Sequence, residues 1–188
     1  LGQGLKGELA TDSKLSAIRY KKTLDDTGLV SSAVIISPPD TREGHSDVDE
    51  SQLPEVQQWW KDNVKGNAQE YERETIEQFG TDGPPDILIV VDKLLTGFDA
   101  PRNTVMYLTR RLKDHTLLQA IARVNRLYED ETGSRSKEFG YIIDYVGILG
   151  ELDHALTTYS ALEGFDETDL AGALASIYEQ VQALPQRH

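Results

Sequence analysis

The chain has 188 residues, no cysteine and a formal net charge of −13. A disulfide frame and a thiolate metal site are therefore excluded, and so acidic a total argues against a surface that coats nucleic acid broadly. No apolar run is long enough to span a bilayer, so no membrane partner is expected.

Residues 5–10 read as a short first strand. Asp12 or Ser13 then offers an N-cap for a helix to about Asp25, with Leu15, Ile18, Tyr20 and Leu24 on its apolar face and Gly28 as its stop. Residues 32–37 read as a second strand, ended by Pro38 and Pro39. Residues 40–52 are acidic and polar, as in an exposed loop. Pro54 sits where helices begin. Val56, Trp60 and Val64 recur at a helical spacing until Gly66 and Asn67 break it. A further helix is expected over about residues 68–79, then a turn over 80–85.

Residues 87–91 (Ile-Leu-Ile-Val-Val) are apolar throughout, as expected for a parallel strand covered on both faces. Residues 104–108 supply another strand and 117–126 a helix. Residues 129–136 read as a charged loop, and 139–144 as a fifth strand. Beyond Gly150 the pattern is helical only, over 152–162 and 170–184. Strands alternating with helices predict an α/β fold built on a parallel sheet. The expected division is a lobe over residues 1–150 and a helical extension over 151–188 that leads to a next domain. A start at Leu1 and not at Met suggests a piece of a longer protein.

Charge is unevenly spread. Between Arg102 and Arg126 six basic residues face one acid, whereas from Glu129 onward twelve acids face three bases. The expected helix over 117–126 carries Arg123 and Arg126 three residues apart, with Gln119 four residues before Arg123. On one exposed stripe these groups suit anionic oxygens through forked hydrogen bonds. They equally suit salt links to the neighbouring acids. The loop Thr96-Gly97-Phe98-Asp99-Ala100-Pro101 leaves the carboxyl side of the apolar strand, where open parallel sheets bind ligands. Asp99 there suits a sugar hydroxyl, and Thr96 a phosphate. The four histidines share no ligand spacing, so no metal site is expected.

Taken together, two segments resemble a known family. Residues 91–101 (Val-Asp-Lys-Leu-Leu-Thr-Gly-Phe-Asp-Ala-Pro) are similar to motif V of superfamily 2 helicases and translocases. Residues 119–126 (Gln-Ala-Ile-Ala-Arg-Val-Asn-Arg) are similar to motif VI. Their wording resembles the motor (R) subunit of type I restriction-modification enzymes. The resemblance covers roughly residues 5–160 and is most specific over 87–148.

It implies the second RecA-like lobe of a motor whose two lobes clamp ATP and pump duplex DNA toward a nuclease. By motif, Arg126 is the expected arginine finger and Arg123 its phosphate-binding neighbour. Gln119 would couple the nucleotide to motion, Asp99 would touch the ribose and Gly97 would line that edge. Thr96, and more loosely Ser13, would contact the DNA backbone. ATP and Mg2+ are expected in the full-length subunit, held mainly by the first lobe. The further expected partners are double-stranded DNA, that first lobe, and the methyltransferase and specificity subunits, in bacterial or archaeal cytoplasm.

The chain has no phosphate-binding Gly-x-x-x-x-Gly-Lys-Ser/Thr loop. It also lacks the acidic magnesium box and the nuclease motif. By itself it is expected to bind no cofactor, hydrolyse no ATP and cut no DNA. Two alternatives remain: a lobe of another superfamily 2 DNA or RNA helicase, or a non-catalytic α/β module that binds an acidic protein through its basic island.

Overall fold

In the computed structural model, the described residues are 4–39, 53–91, 100–130, 132–133 and 136–148. Thr96, Gly97 and Asp99, the acidic loop over 40–52 and the expected helices over 152–162 and 170–184 lie outside them.

Among the described residues, seven strands and four helices follow in the order β1 (Lys6–Ala10), α1 (Lys14–Thr27), β2 (Ser32–Ile35), α2 (Pro54–Asn63), α3 (Ala68–Phe79), β3 (Ile87–Val90), β4 (Asn103–Leu108), α4 (Asp114–Val124), β5 (Tyr128–Glu129), β6 (Ser136–Lys137) and β7 (Tyr141–Asp144). Five of the strands form one parallel sheet in the order β2-β3-β1-β4-β7. The predicted α/β class with a helix-flanked parallel sheet is what forms.

Strands β1 to β4 alternate between two cores, because successive side chains leave opposite faces of the pleat. On one face Leu88, Val90, Met106 and Leu108 pack with Phe79 of α3 and with Leu117, Ala120 and Val124 of α4. On the other, Leu9, Val34, Ile87 and Ile89 pack with Ala17 and Ile18 of α1 and Val56 of α2. Burial on both faces explains why β3 reads as an unbroken apolar run.

The helix ends follow local chemistry. Ser13 caps α1, its Oγ accepting from the Ser16 amide at 3.1 Å. Gly28 ends α1 at φ 63°, a left-handed turn that costs glycine little. Pro54 opens α2, and Asn67 caps α3 through the Gln69 amide at 3.0 Å.

Three expectations need correction. Tyr20 is 39% exposed, while Lys14, Ala17 and Ile18 supply the buried side of α1. Its inward stripe is thus set by small and snorkelling residues that an apolar count overlooks. The segment read as a charged loop contains an antiparallel two-residue pair, Tyr128 opposite Lys137 and Glu129 opposite Ser136. Finally, α4 stops at Val124 and so does not reach Arg126.

Candidate functional site

The central strand carries two charges where apolar side chains are the rule. Lys6 and Glu8 of β1 are both 0% exposed, and at a spacing of two they leave the same face. Lys6 is satisfied: its ammonium donates to the Gly83 carbonyl and, at 2.9 Å, to that of Pro85. Burial lowers its pKa, partly offset by the nearby Asp86 carboxylate.

Glu8 is only half satisfied. The register between β1 and β4 shifts between Lys6 and Gly7, setting Asn103 opposite Lys6 and Met106 opposite Glu8. Such an irregularity re-aims a side chain. Asn103 Nδ2 donates to Glu8 Oε2 at 2.9 Å. Glu8 Oε1 and Asn103 Oδ1 are buried and accept no hydrogen bond. Burial pushes the Glu8 carboxyl up to about 8, opposed by the Arg123 guanidinium and the Asn103 bond.

Arg123 comes from α4, which follows β4 and runs back along the sheet, so its last turn lies at the amino-terminal edge of the strands. Lys137 of β6 fixes it there. Its ammonium donates to the carbonyls of Pro101 at 2.7 Å, Asn103 at 2.8 Å and Val124 at 3.0 Å. Three acceptors match its three N–H donors. Burial draws Lys137 down to about 8, which leaves it charged at neutral pH.

Gly140 closes the same socket. A Cβ there would sit 2.2 Å from the Val124 carbonyl oxygen, so only glycine allows the chain entering β7 to lie against the helix end. Its amide donates to Asn125 Oδ1 at 3.2 Å. The Val124 carbonyl accepts from Lys137, and α4 ends there with Asn125 as its C-cap. Arg126 follows in a tight turn, its amide donating to the Arg123 carbonyl at 3.2 Å.

The stripe expected from spacing is therefore split. Arg123 is 9% exposed and points inward on the side of Ala120 and Val124. Gln119, Ala122 and Arg126 are exposed. Arg123 and Arg126 thus stand at the same helix end but face different ways, one buried and one exposed.

Ser13 lies past the end of β1, at the opposite edge. Its Oγ is engaged in capping, accepting from the Ser16 amide and donating to Ser16 Oγ at 2.8 Å. Asp144, at the same carboxyl edge, accepts from the amides of Val146 and Gly147 at 2.8 and 2.9 Å, a turn-forming role.

Sequence reading had passed over Glu8, Asn103, Lys137 and Gly140. The available signal was Lys6 and Glu8 at alternate positions in a strand flanked by apolar residues.

Two concavities border these elements. An apolar groove of about 700 Å³, lined by Leu9, Leu24, Tyr107 and Tyr145 among others, lies on the face away from Glu8. A second cleft of about 500 Å³ between Phe79, Pro101, Arg102, Tyr128 and Asp130 lies beside the amino edge. Among the described residues no three His, Asp or Glu side chains gather as metal ligands. No described helix is long and apolar enough to cross a membrane.

A parallel sheet covered by helices on both faces, with α4 pinned at its amino edge, defines an α/β domain. Residues 5–147 match the family model of type I restriction enzyme subunit R domain 3. The chain belongs to that family, which decides between the motor readings in favour of the restriction subunit.

It is 36% identical over 166 residues to the putative type I restriction enzyme MjaVIIP endonuclease subunit of Methanocaldococcus jannaschii, covering 84% of this chain and 14% of that protein. It is 42% identical over 95 residues to the type I restriction enzyme HindI endonuclease subunit of Haemophilus influenzae, covering 50% of this chain and 9% of that one. The chain thus spans a small part of these relatives. Among solved structures, the ATP-dependent type ISP restriction-modification enzyme LlaBIII bound to DNA aligns at 18% identity with a TM-score of 0.37, over 74% of this chain and 8% of that chain. An S. cerevisiae Dbp5 variant bound to RNA and ADP BeF3 aligns at 15% identity with a TM-score of 0.38, over 81% and 39%.

Proposed function

We propose that the chain is the second motor lobe of an ATP-dependent, DNA-translocating type I restriction subunit, working in the cytoplasm of a bacterium or archaeon. Arg126 serves as the arginine finger on the γ-phosphate, and Arg123 as its neighbour on the phosphate side. The observation that carries this reading is the Lys137 and Gly140 socket, which pins the end of α4 at the amino edge. A guanidinium held on a fixed helix end is already oriented for a planar, charged phosphoryl group, so little order is lost on engagement. Exposure suits Arg126 for reaching across a cleft to the other lobe.

ATP and Mg2+ would be held mainly by the first lobe, with Gln119, Gly97 and Asp99 completing the nucleotide edge from this one. Thr96 and Ser13 would meet DNA through phosphates and not base edges, since a translocase has to move over any sequence. In this scheme the 151–188 segment leads to the next domain, and the methyltransferase and specificity subunits complete the complex. The isolated lobe, lacking the phosphate cradle, turns over no ATP and cuts no DNA.

The test is Arg126→Ala in the intact subunit. ATP turnover falls by about 10³–10⁵, while binding of a non-hydrolysable ATP analogue largely survives. Unimpaired turnover defeats the finger assignment.

A further inference from the structure

We propose that residues 152–162 form a helix that seats in the apolar groove beside α1, so that the chain's own continuation closes the open part of the sheet. This docking holds whether or not the arginines serve a nucleotide.

The two faces of β4 and β7 are unequal. Toward α4, Met106 and Leu108 are both 0% exposed. Toward α1, Val105, Tyr107 and Ile143 are only half-buried, and Tyr141 and Tyr145 are 49% and 67% exposed. Helices α1 and α2 pack over β1, β2 and β3 on that face. The described helix that packs on β4 and β7 is α4, and it lies on the other side. Parallel strands are ordinarily covered on both faces, and a contiguous apolar surface left open marks a place where something binds.

The groove has the length of a helix. It runs the height of the sheet, from Thr109 and Val146 at the carboxyl rim, past Leu9 and Tyr107, to Leu29 and Val30 at the amino rim. Leu29 is 84% exposed there. A helix over residues 152–162 would measure about 16 Å, the span of a five-residue strand such as β1.

Sequence and tether select the occupant. Leu152, Ala155, Leu156, Tyr159 and Leu162 recur three and four apart, so a helix gathers them on one stripe, away from Asp153, His154 and Thr157. Tyr145 and Val146 line the groove, and Ile148 is buried just past β7. Residue 152 follows four positions on, a reach of at most about 14 Å. On so short a tether the segment meets the groove at a roughly millimolar effective concentration, ahead of a second copy. Seating it ties whatever follows to the sheet of this lobe.

The experiment uses the whole chain. Tyr159 is replaced by the photoreactive p-benzoylphenylalanine, and the cross-linked peptides are mapped by mass spectrometry. The expected result is an intrachain link to the groove lining, at residues 20–30, 107–109 or 145. Links to another copy, links elsewhere on the lobe, or no link overturn the proposal. Leu29 supplies an independent reading, because on an open surface it would tolerate a charge. Leu29→Asp is instead expected to lower Tm by about 4–8 °C, as Leu156→Asp does, with the double variant close to either single one. An unchanged Tm for Leu29→Asp, or additive losses, overturns the docking. So does light scattering that shows a dimer which Leu29→Asp converts to a monomer, since the groove then belongs to a second copy. If the label at position 159 disturbs the fold, Leu29→Asp still decides.

Discussion

Gly140 lies so close to the helix end at Val124 that a single added carbon would stand 2.2 Å from the carbonyl oxygen and 2.4 Å from Val124 Cγ1. Neither the helix terminus nor the strand entry has room to yield, because Lys137 bonds the same carbonyl. Gly140→Ala is therefore expected to destabilise the lobe by about 1–3 kcal/mol, as overpacking against backbone does. If Arg123 and Arg126 serve the nucleotide as proposed above, the same variant of the intact subunit also lowers ATP turnover by displacing them. Thermal melting of the chain together with turnover of the subunit checks both; an unchanged melt would show that the socket is looser than its geometry.

Lys137→Met keeps most of the stem and removes the ammonium, leaving three carbonyls without this donor. Unmet buried acceptors cost about 1–3 kcal/mol each, less where backbone donors compensate, so a loss of roughly 3 kcal/mol is expected in urea unfolding. A loss below about 0.5 kcal/mol would mean that the ammonium adds no net support.

Glu8 makes stability depend on pH in an unusual direction. Its folded carboxyl titrates at about 8 against an ordinary 4.5. Between those values the folded chain holds a proton that the unfolded chain has released. Stability is therefore greatest below about pH 4.5 as far as this group is concerned, and falls as pH rises to about 8. The slope is at most about 1.4 kcal/mol per pH unit. Above that the contribution is flat. Glu8→Gln is expected to remove this decline, so its advantage over the parent grows between about pH 5 and pH 8.5. Parallel unfolding curves across that range would contradict the assignment.

Ser13→Ala removes the cap on α1 and is expected to cost about 1 kcal/mol. If Ser13 also meets the DNA backbone, the variant weakens duplex binding by the intact subunit uniformly across sequences. A stability loss with unchanged DNA affinity restricts Ser13 to capping.

Much of the lobe was legible in order of occurrence. The ends of α3 are those its cap and glycine predict, and β3 declares its double burial by composition. Strand order was not legible, because nothing local distinguishes a central strand from an edge one. The arginines were legible as a pair but not in their directions. Helical spacing assumes that the helix continues, and the group that stops it, Lys137, arrives from thirteen residues downstream of Val124. Glu8 was legible only as an anomaly, a charge among apolar neighbours, whose meaning needed Asn103 from ninety-five residues away.

All five strands of the main sheet point the same way, so the end of α4 and the Ser13 turn sit about a strand apart, roughly 16 Å for five residues. Close-packed interiors transmit displacement instead of absorbing it. If the chain works as the motor lobe proposed above, a tug at either rim is delivered to the far one as the swing of a single stiff body, with the sheet as the connecting rod between the two ends.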